Sequence, residues 1–375
     1  MKGPGMRSDI EKVPLSISSI GTQRQLVLYR FGAGRPGPKI YLQAGLHADE
    51  PPGMVILHHV IKMLQERDGE PRGEIVIVPC ANPIGLSQRI QGYHAGRSDL
   101  GVGGNFNRNF PDVSAPIVEN ISTLTTKGEV VDEAIVKLAL RRAVAALVPK
   151  TELDSMKQTL LGHAIDADYV LDIHCDDEAV VYAYVSDPAH PAAKLFSRHI
   201  GSVVTIGGSY GPGTFKDSCF RPWRAAQEVL PNVSMTGCLA ATLEYRGTRD
   251  VRDELAIADA RGLISFMEAT GVLDPSSAEH LENNSRHITL DCVDYIQADA
   301  PGIILFSKGP GDFIEAGEEV AQILDPSTGE RTIVAARCSG IVFGHVASRI
   351  AVPGSSIASI AGTSPLPKEA GDPFP

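Results

Sequence analysis

The chain of 375 residues predicts an α/β fold with a doubly wound, mostly parallel sheet, followed by a small all-β barrel or sandwich domain. Three observations carry this. Short apolar runs alternate with longer segments of helical periodicity up to about residue 270. Several of those runs are apolar at nearly every position, as strands covered on both faces are. After Gly271 the helical period disappears and turn signals crowd in.

In chain order, 40–44, 75–78, 169–173, 180–185 and 239–243 read as strands. Between the first two, 54–65 repeats Leu57, Val60, Ile61 and Leu64 at helical spacing. Two further helix candidates cover 131–148 and 250–267. The stretch DPSSAEHLENNSR is polar, contains Pro275 and reads as a linker. From 288 to 360 the runs are short and β-like, separated by KGPGD, EAGEE, DPSTGE, CSG and VPGS. The domains that follow are 1–275, carrying the chemistry, and 286–362, all β. The Pro-rich tail 363–375 is expected to be disordered.

The formal charge of −11 opposes nucleic-acid or anionic-membrane binding, which needs basic surface to displace counterions. No uncharged apolar run approaches the ~18 residues of a membrane span, and the N-terminal segment lacks the apolar core of a signal peptide. Six scattered cysteines with no C-x-x-C pair fit free thiols in a reducing cytoplasm.

Four segments carry chemistry. GLHADEPPG follows the 40–44 strand, and there His47 and Glu50, three residues apart, can reach one point from a single turn. DIHCD ends the 169–173 strand and supplies His174. Ligands of open parallel sheets bind beyond the carboxyl ends of the strands, so these three side chains can converge there. Two imidazoles and a carboxylate form a three-ligand zinc site with its fourth position open to water. Bound zinc lowers the pKa of that water from ~15.7 to ~7. In ATLEYRG, Glu244 closes another apolar strand at the same edge and is the candidate general base. The long polar loop between 82 and 112 offers Arg108, flanked by Asn107 and Asn109, to fork onto a substrate carboxylate. In the same loop, Arg89 or Arg97 could stabilise an oxyanion.

Each residue also has a plainer reading. A lone histidine is more often a satisfied core or loop residue, and a lone N-R pair a loop cap. It is the joint placement at strand ends that singles out His47, Glu50, His174 and Glu244. His58 and His59 sit mid-helix and read as structural. GVGG lacks the surroundings of a phosphate loop. Cys175 reads as structural, because a fourth protein ligand would close the metal site.

In this order, GLHADE, an NP after a strand, NFNRNF, DIH and LEYRG resemble the zinc carboxypeptidase superfamily, and within it the succinylglutamate desuccinylase and aspartoacylase branch. The resemblance runs from about 20 to 361. It implies a zinc carboxypeptidase-like catalytic domain with one zinc ion per chain on His47, Glu50 and His174, and Glu244 as catalytic base. It also implies that Asn107 and Arg108 hold the substrate carboxylate and that an upstream arginine polarises the carbonyl. Two departures stand out: the loop between 83 and 105 is not the short form of the branch, and Asn105 replaces the usual acidic residue. The trailing domain resembles a biotinyl or lipoyl carrier fold, but the turn near CSGIVFG has no lysine to modify, so no prosthetic group is expected. Its expected role is to narrow the zinc cleft or to mediate assembly.

The expected activity is hydrolysis of the amide bond of a small N-acyl amino acid, with zinc-bound water as nucleophile. One alternative is a zinc carboxypeptidase acting on peptides. Another, of a different class, is a non-catalytic ligand-binding protein. The expected partner is the small substrate, with homo-oligomer formation left open.

Overall fold

The computed structural model describes residues 5–128, 130–208, 213–275 and 285–367. Its largest element is a nine-stranded mixed sheet. The strand order is Asp9–Pro14, Gln25–Phe31, Glu74–Val78, Lys39–Ala44, Tyr169–Asp176, Leu239–Gly247, Val181–Val185, Val204–Gly207 and Arg286–Thr289. Five of its eight neighbouring pairs are parallel, including all those that join Glu74–Val78, Lys39–Ala44, Tyr169–Asp176 and Leu239–Gly247. The antiparallel pairs lie at the first edge and where Val181–Val185 turns back along Leu239–Gly247. The predicted doubly wound, mostly parallel arrangement is therefore present.

Alternation along the central strands divides the core. Ile40, Leu42, Leu171, Ile173, Ala241 and Leu243 face one apolar layer, closed by the helices Pro52–Glu66, Ala193–His199 and Asp253–Ala269. Tyr41, Val76, Val170 and Ala240 face the other, closed by Ser114–Thr126, Glu133–Ala145, Glu152–Ala164 and Phe215–Val229. A period of two then carries Gln43, Asp172, His174, Thr242 and Glu244 onto this second face. It is the face on which the chemistry assembles.

The predicted helices at 54–65, 131–148 and 250–267 are observed as Pro52–Glu66, Glu133–Ala145 and Asp253–Ala269. Pro52 occupies a first-turn position, where its missing N–H costs nothing. Asp132 caps its helix by accepting from Ile135 N, and Thr151 with Asp154 forms a capping box on Glu152–Ala164.

The C-terminal β unit consists of two small sheets. Val293–Gln297, Ser356–Gly362, Gly340–His345 and Phe313–Ile314 form one; Arg331–Ala335, Glu319–Leu324, Gly302–Phe306 and Ile350–Ala351 form the other. Ile296, Ile304, Val320, Ile323, Val342 and Ile360 pack between them. Residues 286–289, expected to belong to this unit, instead form the strand Arg286–Thr289, which extends the large sheet in parallel with Val204–Gly207. The unit also recruits Glu178–Ala179, which pairs with Gly340–His345 immediately after the Tyr169–Asp176 strand. Of the expected linker, 276–284 lie outside the described residues, as do 368–375 of the expected disordered tail.

Candidate active site

Three strand ends bring the site together. Lys39–Ala44 leads through Gly45, at φ 71, into the turn that presents His47 and Glu50. Gly96 packs its backbone directly against that turn, its carbonyl accepting from Ala48 N at 2.9 Å. A Cβ on residue 96 would stand 2.3 Å from Asp49 N, so only glycine allows the approach. His174 lies near the end of Tyr169–Asp176 and is paired in register with Glu244 of Leu239–Gly247 on the same face. A bulge follows Glu244, with Arg246 held left-handed at φ 61 and ion-paired to Asp259, and it breaks the register beyond the site.

His47, Glu50 and His174 are 4%, 4% and 2% exposed, and one donor atom from each lies within 4.8 Å of the others. Both imidazoles direct Nδ1 at the Glu50 carboxylate, His47 to Oε1 at 2.8 Å and His174 to Oε2 at 2.7 Å. Both place Nε2 against an outer acceptor: Asn105 Oδ1 at 2.7 Å for His47, and Asp172 Oδ2 at 2.9 Å for His174. A carboxylate or amide oxygen can only accept, so each Nε2 carries a hydrogen, and Nδ1, which faces the Glu50 carboxylate, is the ring atom a cation would bind. Donors of a tetrahedral zinc ion with bonds of ~2.0–2.1 Å stand roughly 3.4 Å apart, a separation small side-chain adjustments can reach here. The donor set, its burial and its outer hydrogen bonds fit one divalent ion.

The charges agree with this arrangement. Burial would raise the Glu50 carboxyl, but His174 and His47 hold it far below the ordinary carboxylate range. Burial opposes a charged His174, yet Asp172 and Glu50 on either side lift its pKa well above the usual imidazole value. The ring is thus a cation gripped between two carboxylates, and a divalent ion would replace the Nδ1 proton in the same field. Glu244 carries the opposite perturbation. Burial first, then the Glu50 and Asp176 carboxylates, push its carboxyl well above the ordinary range, against the pull of His174 and Arg97. Cys175 donates its backbone N–H to Glu50 Oε2 at 3.2 Å, and burial pushes its thiol pKa up.

The cleft beside these groups has a volume of about 200 Å³. Arg97 lines it and donates Nη1 to Glu50 Oε1 at 3.0 Å. Arg89, the other arginine expected near the carbonyl, does not reach the cleft. It is exposed on the hairpin Arg89–Ile90/Tyr93–His94 and donates to the carbonyls of Leu86 and Gln88 at 3.0 and 2.9 Å. Its own tight loop captures the guanidinium before it can point inward. Arg108 lines the cleft and donates Nη1 to Asn107 O at 2.8 Å. Asn107 also lines it, but Asn107 Oδ1 already accepts from Phe215 N at 2.8 Å, anchoring the start of a helix.

Sequence reasoning missed several residues of the cleft: Asp176, Tyr182, Tyr184, Thr214, Lys216 and Thr242. It also missed Asp172 and Gln43 behind it. Alternation along the strands would have found four, since Asp172 and Asp176 share a face with His174, Thr242 with Glu244, and Gln43 with Tyr41. Asp176 is held by the Tyr182 hydroxyl at 2.8 Å, and Ala347 N of the β unit donates to Asp177 Oδ2 at 3.0 Å. The β unit thus docks on the residues that leave the strand carrying His174. Lys216, 1% exposed, donates to Asp217, Ser186 and Gly208 at 3.1–3.3 Å. No helix among the described residues is long and apolar enough to cross a membrane.

A mixed α/β sheet with a buried His–Glu–His cluster beyond its carboxyl ends defines the class. The comparisons with known proteins bear out the family resemblance. Residues 36–130 match the family model of the succinylglutamate desuccinylase/aspartoacylase catalytic domain. A succinylglutamate desuccinylase/aspartoacylase family protein from Shewanella amazonensis superposes with a TM-score of 0.81 at 23% identity, covering 95% of this chain and 99% of that one. A protein of the same description from Shewanella frigidimarina gives 0.82 at 20% identity, covering 96% and 98%. The ectoine utilization protein EutE (DoeB) from Ruegeria pomeroyi gives 0.65 at 20%, covering 96% of each chain. At these identities the structural likeness fixes the fold. No curated protein matches the chain.

Proposed function

We propose that this chain is a zinc-dependent deacylase that hydrolyses the amide bond of a small N-acyl amino acid. The observation that carries the reading is the convergence of His47, Glu50 and His174 with Glu244, which is in register beside His174. When bound, a zinc ion supplies Lewis acidity for the amide carbonyl and makes water acidic enough to attack near neutral pH. Glu244 takes the proton from that water and delivers one to the leaving nitrogen. Arg97, poised on Glu50 at the mouth of the site, faces the oxygen that gains charge. Arg108 binds the substrate carboxylate, and Asn107 holds the loop that presents it.

The cleft of about 200 Å³ falls below the roughly 300–1,000 Å³ of sites for drug-sized ligands, which favours a small substrate over a peptide. Six free cysteines fit a reducing compartment such as the cytoplasm.

A panel of N-acetyl and N-succinyl amino acids beside C-terminal dipeptides tests the proposal. Turnover of the acyl amino acids that requires added zinc and is abolished by chelation is expected. Cleavage of peptides alone would assign a carboxypeptidase. A chain that binds no metal and turns over neither class would be a binding protein.

A further inference from the structure

We infer that a buried hydrogen-bond relay, Tyr41–Gln43–Asp172, positions His174 as a metal ligand from inside the sheet. The inference rests on the metal reading of the site. Tyr41 Oη lies 2.8 Å from Gln43 Oε1, Gln43 Nε2 lies 2.8 Å from Asp172 Oδ1, and Asp172 Oδ2 lies 2.9 Å from His174 Nε2. Tyr41, Gln43 and Asp172 are fully buried, and His174 is 2% exposed. The geometry follows from strand pairing. Tyr41 and Gln43 share one face of Lys39–Ala44, Asp172 and His174 share that face of Tyr169–Asp176, and Gln43 is the register partner of Asp172.

Asp172 sets the direction of the whole relay. Its carboxylate can only accept, so Gln43 must turn its amide N–H toward it. That leaves Oε1 facing Tyr41, whose hydroxyl must then donate. On the other side, Asp172 takes the Nε2 hydrogen of His174 and leaves Nδ1 for the ion. Each member thereby holds the next in one orientation, and the last holds the ring.

A purely structural role accounts poorly for these residues. Deeper in the sheet the same face is filled by Val76, Val78, Val170 and Ala240. Apolar side chains at 43 and 172 would fill it without polar atoms to satisfy, a replacement that is often nearly neutral. The Gln43 N–H gives the buried Asp172 side chain a hydrogen-bond partner where water cannot reach. Gln43 and Tyr41 are therefore positioning residues: they touch neither substrate nor metal and act through Asp172 and His174.

The test is zinc affinity of the full chain, stripped and reloaded, measured by competition with a chromophoric chelator, together with the visible spectrum of the cobalt-substituted protein. Gln43→Met should weaken zinc binding by up to about tenfold, the low end of the range seen when a direct outer partner of a ligating histidine is lost, because Gln43 acts one step further out through Asp172. Its cobalt spectrum should shift. Tyr41→Phe should weaken binding several-fold in the same direction. Leu42→Met, on the opposite face of the same strand, should leave affinity and spectrum unchanged. A folded Gln43→Met chain with wild-type affinity and cobalt spectrum would overturn the relay. If Gln43→Met does not fold, Tyr41→Phe decides, and wild-type affinity in that variant overturns the relay equally. Failure of the unmodified chain to bind either ion would instead overturn the metal reading, and the relay with it.

Discussion

Replacing Glu244 by glutamine should separate proton transfer from everything else the site does. Glutamine keeps the length, shape and hydrogen-bonding oxygen of the side chain and removes only its ability to exchange a proton. General acid–base groups contribute about 10²–10⁴ to rate, or roughly 3–5.5 kcal/mol of barrier at 1.36 kcal/mol per decade. Loss of kcat in that range is expected, with zinc still bound at one per chain, because His47, Glu50 and His174 are untouched. Burial of Glu244 also gives the direction of the effect on stability. Folding raises the proton affinity of Glu244, chiefly by burial and by Glu50 and Asp176. Its contribution to folding is therefore fully present below the unfolded pKa near ~4.3 and is lost as pH rises through the folded value. At neutral pH the wild-type, metal-free chain carries that penalty and the glutamine variant does not. The metal-free variant should melt no lower than wild type at pH 7, and the difference should shrink toward pH 4. Steady-state kinetics, metal analysis and thermal melts at the two pH values measure all three quantities. Full turnover by Glu244→Gln would refute its role as base. A loss of turnover accompanied by loss of zinc or a collapse in melting temperature would refute the assignment of that loss to proton transfer.

Three further perturbations discriminate between parts of the site. Arg97→Met should lower kcat by about 10²–10³, the usual loss for one oxyanion donor, whereas Arg89→Met, outside the cleft, should leave kcat and KM near wild type in the same assay. Asn105→Asp puts a charged acceptor in place of the amide at His47 Nε2, where the contact is 2.7 Å; zinc affinity by chelator competition should rise by about tenfold, and no change would show that this outer contact does not tune the ligand. Gly96→Ala places a methyl 2.3 Å from Asp49 N and so displaces the turn bearing His47 and Glu50; weaker zinc binding is expected, and unaltered binding would show that the close approach is dispensable.

Much of this architecture could be read from residue patterns, and what could not has physical causes. Buried parallel strands such as 75–78 declare themselves because both faces are covered and nearly every residue is apolar. The helix Pro52–Glu66 declares itself because its apolar stripe is narrow and regular. Phe215–Val229 escaped because it is polar on average, contains Pro222 inside the helix, and buries Lys216 and Asp217 as an ion pair. Glu152–Ala164 escaped for a similar reason, burying Ser155 and Lys157 among its core residues. The strand Arg286–Thr289 escaped because edge pairing demands little of sequence: its side chains alternate between half-buried and exposed and carry no core signature. In the site, His47, His174 and Glu244 were legible because each follows an apolar run, and Glu50 because it stands three residues after His47. Which arginine lines the cleft was not, since that depends on how the 82–112 loop folds back through Gly96. The outer acceptors Asp172 and Gln43 lay within strands already recognised, and needed only the period-two alternation applied to polar as well as apolar residues.

Metal content is the most direct test of the whole account. The full chain, stripped with chelator, reloaded with zinc and freed of excess, should retain one zinc per chain, and His174→Ala should retain almost none while remaining folded. Full zinc retention by His174→Ala, or no retention by the unmodified chain, would contradict the claim that His47, Glu50 and His174 jointly hold the ion on which the chemistry turns.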